Sequence, residues 1–194
     1  MTENNVFSRL KQLALECGFT HTGELKAETL KSRPEVRVAC AADKCRSYGK
    51  NWSCPPACGD LADCEKKIRE FKQGLILQTQ GNLEDSMDYE SMKRIGVQHY
   101  KNMYNISAAL SAPPSPSNGC EEGGSLPRSY LLLGGGACKN CEKCSCPDSP
   151  CRFPDKMIIS MEAMGLVVSD VCTANGLPYY YGPNTLTYVG CVLF

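Results

Sequence analysis

The stretch that decides this chain runs Gly134-Gly-Gly-Ala-Cys-Lys-Asn-Cys-Glu-Lys-Cys-Ser-Cys-Pro-Asp-Ser-Pro-Cys-Arg-Phe-Pro154. It carries five cysteines: Cys138, Cys141, Cys144, Cys146 and Cys151. The first three form C-x2-C-x2-C, the spacing with which bacterial ferredoxins hold a cubane iron–sulfur cluster. Two intervening residues let an irregular loop turn successive thiolates onto different corners of one cluster. Structural zinc prefers cysteine pairs supplied by separate hairpins, so it is the second reading, and disulfides are the third. Cys151 is the expected fourth ligand. The extra Cys146 leaves that ligand set open.

On the N-terminal side of this loop, Tyr130 to Leu133 reads as a short apolar strand. The triple glycine after it lacks the G-K-[S/T] of a phosphate loop and the spaced glycines of a dinucleotide fold. Its expected use is room, because backbone without Cβ can come close to a bulky cluster. On the C-terminal side, Lys156 to Met164 is expected to be a helix closed by Gly165. Ser169 is expected to cap a second short helix ending at Asn175-Gly176. Pro178 to Asn184 is a tyrosine-rich loop. Thr185 to Phe194 is nearly all apolar, as suits a central strand covered on both faces.

A second cysteine group lies upstream: Cys40-x4-Cys45-x8-Cys54-Pro-Pro-Ala-Cys58-x5-Cys64. Gly49, Pro55, Pro56 and Gly59 make the segment loop rather than helix. Cys40, Cys45 and Cys54 are the firmer ligands. Cys58 and Cys64 compete for the fourth place, the first on a rigid Pro-Pro loop, the second in the first turn of a helix, where the dipole favours a thiolate. Trp52, the one tryptophan, is placed to cap the core and to shield a cluster.

The remaining elements follow from periodicity. A first helix, capped by Asn4 or Asn5, runs to Gly18 with Phe7, Leu10, Leu13, Ala14 and Cys17 on one face. A strand follows within Thr20 to Thr29. Asp60 caps a helix with Leu61, Ile68 and Phe71 buried, ended by Gly74. Leu75-Ile-Leu-Gln-Thr is a buried strand. A long helix spans about Asp85 to Leu110, with Met92, Ile95, His99, Met103, Ile106 and Leu110 on one face. His99 reads as a packing histidine, and His21 as a surface or strand histidine. Ser111 to Arg128, rich in proline and glycine, reads as a mobile loop (about residues 111–128), and Cys120 within it as a lone thiol. Cys17, Cys172 and Cys191 read as core. The sum is one α+β domain over residues 1–194, a small mixed β-sheet packed with helices, with two cysteine-rich cluster-binding loops leaving the same end.

Composition narrows the function. Lys plus Arg and Asp plus Glu are 21 each, which does not suit nucleic acid as the main partner. No apolar run approaches the about eighteen residues of a membrane span. The start Met1-Thr-Glu-Asn-Asn has neither the basic nor the apolar region of a signal peptide. Fourteen cysteines in a cytoplasmic chain stay reduced and read as metal ligands.

The pieces Tyr48-Gly-Lys-Asn-Trp-Ser-Cys-Pro-Pro, Asp63-Cys-Glu-Lys-Lys-Ile, Ala137-Cys-Lys-Asn-Cys-Glu-Lys-Cys, Pro150-Cys-Arg-Phe-Pro and Ser160-Met-Glu-Ala-Met-Gly occur together here. In that combination the chain resembles the cysteine-rich, predicted metal-binding proteins of bacteria and archaea classed as a domain of unknown function. The resemblance covers about Cys40 to the C-terminus. It implies metal binding, iron–sulfur in kind, with Cys40, Cys45, Cys54, Cys138, Cys141, Cys144 and Cys151 as ligands and Cys64 matching better than Cys58. It implies no particular reaction. Two 4Fe-4S clusters serving electron transfer to a redox protein partner is the leading expectation. A zinc-stabilised interaction module comes second. Third is a cluster-containing enzyme with a pocket lined by Tyr179, Tyr180 and Tyr181.

Overall fold

A computed structural model describes residues 3–112 and 126–194. Its frame is a five-stranded sheet in the order β1-β2-β5-β3-β4. The strands are β1 (His21–Lys26), β2 (Gln73–Asn82), β3 (Leu131–Gly134), β4 (Ile159–Ser160) and β5 (Thr185–Leu193). β5 lies in the middle and pairs antiparallel with both β2 and β3, while β3 and β4 run parallel. The sheet is mixed and the class α+β, as expected.

Both faces of the sheet are covered, and this explains the unbroken apolar runs. Successive strand residues point to opposite faces. In β2, Ile76 turns to one core, with Leu133, Val189, Cys191, Ile68 of α3 (Leu61–Arg69) and Val171 of α5 (Val168–Ala174). Its neighbours Leu75 and Leu77 turn to the other, with Val192, Leu10 and Leu13 of α1 (Glu3–Glu16) and Met103 and Ile106 of α4 (Tyr89–Ser111). Ile76, Leu77, Ile106 and Leu133 are completely buried, each contributing about 1.5–3 kcal/mol. Cys172 and Cys191 lie in the first core, as expected, and half-buried Cys17 packs against the second.

Helix starts follow side-chain chemistry. Asp60 caps α3 by accepting from the Asp63 N–H at 2.8 Å, as expected. Asp88 caps α4 by accepting from the Ser91 N–H at 3.0 Å, so the long helix begins later than Asp85. α1 already includes Asn4 and Asn5 rather than being capped by them.

Four further expectations are corrected. Residues 34–41 form α2 (Pro34–Ala41), so Cys40 is on a helix; Pro34 stands in its first turn, where its missing N–H costs nothing. Gly74 does not end α3, which stops at Arg69, but lies inside β2. A Cβ there would come 2.3 Å from the Val192 carbonyl oxygen, so only glycine lets the two strands meet. Lys156 to Met164 is not a helix. After a 3-10 turn at Pro154–Lys156, Ile159 and Ser160 pair with Leu133 and Gly134, and the chain then folds into tight turns to Gly165. The open edge of β3 offers ladder partners that a helix would forgo, and the Ser160 hydroxyl binds the Ala163 N–H at 3.0 Å instead. α5 begins at Val168 with no side-chain cap, so Ser169 is inside it. Most of the expected loop at 111–128, including Cys120, lies outside the described residues.

Candidate metal centre

The first cysteine group is assembled by α2 and the loop after it. The chain turns through left-handed backbone at Asp43, Arg46 and Gly49. Asp43 closes this turn by accepting from the Tyr48 N–H at 2.9 Å and pairing with the Lys50 ammonium at 2.8 Å. That holds exposed Cys45 near the end of α2. The Cys58 N–H donates to the Cys54 carbonyl at 3.1 Å, a helix-like step that puts these two buried cysteines on one side. The thiols of Cys40 and Cys58 approach successive carbonyls, Glu162 and Ala163, each at 4.0 Å. Burial pushes the Cys54 thiol up to about 11, and the charges of Cys45, Cys58 and Cys40 add to the rise. Burial also raises the Cys40 thiol, helped by the Glu162 carboxylate.

Cys64 stands differently. It is fully buried in the core with Leu30, Ile68 and Met164, and it accepts a hydrogen bond from Arg37 Nη2 at 3.2 Å. The same nitrogen donates to the Gly59 carbonyl at 3.0 Å.

The second group hangs from β3. Cys138, Cys141, Cys144 and Cys151 line one cavity of about 20 Å³, walled by Trp52 and Phe153. Trp52 therefore comes from the first loop to cover the second, anchored by its indole N–H on the Ser149 carbonyl at 3.1 Å. The loop closes on itself through Ser145 Oγ to the Pro150 carbonyl (2.8 Å), Asn140 to the Lys156 carbonyl (3.0 Å) and Arg152 to the Lys143 carbonyl. Buried Cys146 points out of this cavity toward the Gly49 carbonyl at 3.7 Å. From α4, the Tyr104 hydroxyl lies 3.5 Å from the Cys138 sulfur, and Tyr100 donates to the Ala137 carbonyl at 2.8 Å. Burial raises both phenols, holding them protonated.

The triple glycine makes its room for the protein rather than for a cluster. A Cβ on Gly134 would meet Ile158, one on Gly135 the Val189 carbonyl, and one on Gly136 the Tyr100 hydroxyl at 2.8 Å.

Two residues stitch the loops together. Asn51 Nδ2 donates to the Cys138 carbonyl at 2.9 Å, and the Cys138 N–H donates to Ser53 Oγ at 2.8 Å. Asn51 Oδ1 in turn accepts from the N–H and hydroxyl of Ser53, both at 3.0 Å. Ser53 is completely buried and directly precedes Cys54. The two cysteine groups thus adjoin, and the Tyr100 phenol feels the charge of both Cys138 and Cys54.

This arrangement of reduced thiols from three parts of the chain has a family to go with it. The chain belongs to the predicted metal-binding protein family DUF2284. The family's pattern matches residues 23–194, which takes in both cysteine groups. No curated protein and no solved structure matches the chain. All thirteen described cysteines of this DUF2284 member are free thiols. Among the described residues no three His, Cys, Asp or Glu side chains form a ready-made site for a single ion.

Several residues of the site escaped sequence reading. Asn51, Ser53, Arg37, Tyr100, Tyr104 and Glu162 are of types that serve many purposes, and none sits at a telling spacing. Asn51, Ser53 and Glu162 lay within stretches singled out earlier, but none of the three was read as part of the site. The histidines take no part: His99 is buried and bound to Thr79 at 3.0 Å, and His21 stacks on Tyr181 at 4.4 Å. Tyr181 is committed to packing, donating to buried Gln78 at 2.6 Å.

Proposed function

We propose that this DUF2284 member holds two 4Fe-4S clusters and carries electrons to a redox protein partner in the cytoplasm. The observation that carries the reading is that Cys138, Cys141, Cys144 and Cys151, in ferredoxin-like spacing, line a single cavity under Trp52. For the first cluster the ligands are Cys40, Cys45, Cys54 and Cys58. Cys58 is preferred over Cys64 because its thiol lies beside Cys40 on the 162–163 turn, whereas Cys64 is packed in the core and bound by Arg37.

Such clusters supply one-electron oxidation and reduction. The protein's own contribution is to hold thiolates, exclude water and set the local field. Trp52 and Phe153 shield the second centre. Tyr104 offers an O–H to the Cys138 sulfur, and hydrogen bonds to sulfur raise a cluster's potential. Ser53 and Asn51 fix the backbone of Cys138 and so its thiol direction. The balanced charge of the chain gives no support for a nucleic-acid role. Among the described residues no helix is long and apolar enough to cross a membrane.

The test is anaerobic purification with assay of iron and acid-labile sulfide, and spectra before and after dithionite. A broad visible absorbance that bleaches on reduction, with iron and sulfide in equal amounts, is expected. Colourless protein with stoichiometric zinc would overturn electron transfer and leave a zinc-stabilised interaction module.

A further inference from the structure

We propose that Glu162 is an oxygen donor to the metal centre of the first cysteine group, giving that centre a mixed thiolate and carboxylate shell. The inference rests on the first group's being a metal centre, as proposed above, and gives Glu162, a donor that no cysteine pattern reveals, the position assigned there to exposed Cys45.

The argument begins with the turn after β4. Ser160 to Gly165 is pinned in place: Ser32 Oγ donates to the Met164 carbonyl at 2.8 Å, the Arg33 N–H to the Gly165 carbonyl at 2.8 Å, and Met161 and Met164 are fully buried. The turn is therefore rigid, and its position is set by the segment that leads into α2. Its carbonyls at 162 and 163 face the thiols of Cys40 and Cys58. The Glu162 side chain leaves from the same place.

Glu162 Oε2 is buried and has no hydrogen-bond partner. A carboxylate oxygen taken from water without a donor or a cation is unfavourable, so such an atom calls for a partner of positive charge. One cation that bears on the same thiol is Arg37, whose charge is felt at Cys40 together with that of Glu162. Yet Arg37 spends Nη2 on Cys64 and Gly59, and its Nε is itself buried without a partner. The described ion pairs of the chain do not include Glu162. The Glu162 carboxylate and the Cys40 thiol that feels its charge repel one another when ionised, and a multivalent cation would hold both. Exposed Cys45 is the least enclosed donor of the group. Glu162, on its rigid turn, is the more constrained.

An oxygen donor is harder and more exchangeable at iron than a thiolate. The two centres are then unlike: the second enclosed by four thiols, the first with one position held by a carboxylate.

The experiment uses the full chain, metal-free and anaerobic, titrated with Co2+. Sulfur-to-cobalt charge-transfer bands count thiolates, and the visible d–d bands report the mixed shell. Wild type is expected to bind in two phases, one of them lost in Cys141→Ser. Glu162→Gln should weaken the other phase at least about tenfold and change its d–d bands, leaving the Cys141-dependent phase as it was. Its metal-free melting temperature should equal or exceed wild type, because an unpaired charge is gone. Unchanged phases, an effect confined to the Cys141-dependent phase, or a lower metal-free melting temperature would each overturn the assignment, the last by revealing a protein partner. If wild type shows only the Cys141-dependent phase, the first centre itself fails, and the failure lies there rather than with Glu162.

Discussion

Acid should destabilise this fold through one histidine. His99 is 1% exposed on α4, edge-on to Phe19 at 5.9 Å and stacked with Tyr188 at 5.8 Å. Its Nδ1 shares a hydrogen bond with Thr79 Oγ1 at 3.0 Å, and Thr79 Oγ1 also accepts from Asn102 at 3.1 Å. Its Nε2 is buried without a partner. Burial alone lowers its pKa to about 4, against an ordinary 6.5. The folded protein therefore resists protonation that the unfolded chain accepts. Stability from this group is complete above the unfolded value and is lost as pH falls from 6.5 toward 4. Linkage over that interval gives a loss of about 2.5 kcal/mol on going from about pH 7.5 to about pH 4.5. For a chain of this size the melting temperature should fall by roughly 5–10 °C from this group alone. Carboxylates and thiols titrate as well, so the measurement is a difference. Metal-free wild type and His99→Gln are melted across the same pH series by circular dichroism. Glutamine keeps an amide for Thr79 and cannot titrate. The variant should be less stable near neutrality and should lose less stability on acidification by about that amount. Parallel pH profiles for the two proteins would refute the reasoning, since they would mean that His99 is charged, or wet, in the folded state.

Other expectations follow from the site. Cys54→Ser and Cys141→Ser should each lose iron by elemental analysis, whereas Cys17→Ser should keep it; full iron in both of the first pair would overturn the ligand assignment. Ser53→Ala strips the Cys138 N–H of its acceptor and should cost about 1–3 kcal/mol in denaturant unfolding. Gly136→Ala adds left-handed strain at φ +75° and drives a Cβ into the Tyr100 hydroxyl, so it should cost more than about 1–2 kcal/mol, and a neutral result would mean that Tyr100 is free to move. Tyr104→Phe removes the O–H near the Cys138 sulfur; in a redox titration it should lower the potential of one centre without changing the iron content.

What the sequence revealed was whatever repeats locally. The apolar runs at Leu75–Leu77 and at Val189–Leu193 announced strands covered on both faces, and the two core clusters show why: each residue in such a run has a helix waiting on its side. Asp60 announced α3 because a cap acts over three residues. The failures came where tertiary partners outweighed local pattern. Ile158, Met161 and Met164 are spaced like a helix face, but the free edge of β3 claims Ile159 and Ser160 for a parallel pair. Gly74 looks like a helix terminator, yet its lack of Cβ is needed for the approach of β5.

The same division holds at the site. Nine cysteines stood out because clustered thiols are rare in a reduced chain, and C-x2-C-x2-C has few other uses. Their organisation did not stand out, because it is built by bonds between residues far apart in sequence. Ser53 reaches Cys138 across 85 positions and Cys40 meets Glu162 across 122. A serine before a cysteine, or a glutamate in a turn, carries no mark of such a partner. Yet these bonds decide how the groups relate. Both backbone polar groups of Cys138 are held by residues just ahead of Cys54, and Trp52 from the same loop roofs the second cavity. Neither loop can shift without pulling on the other, because the short bridge of residues 51–54 ties the two cysteine groups together.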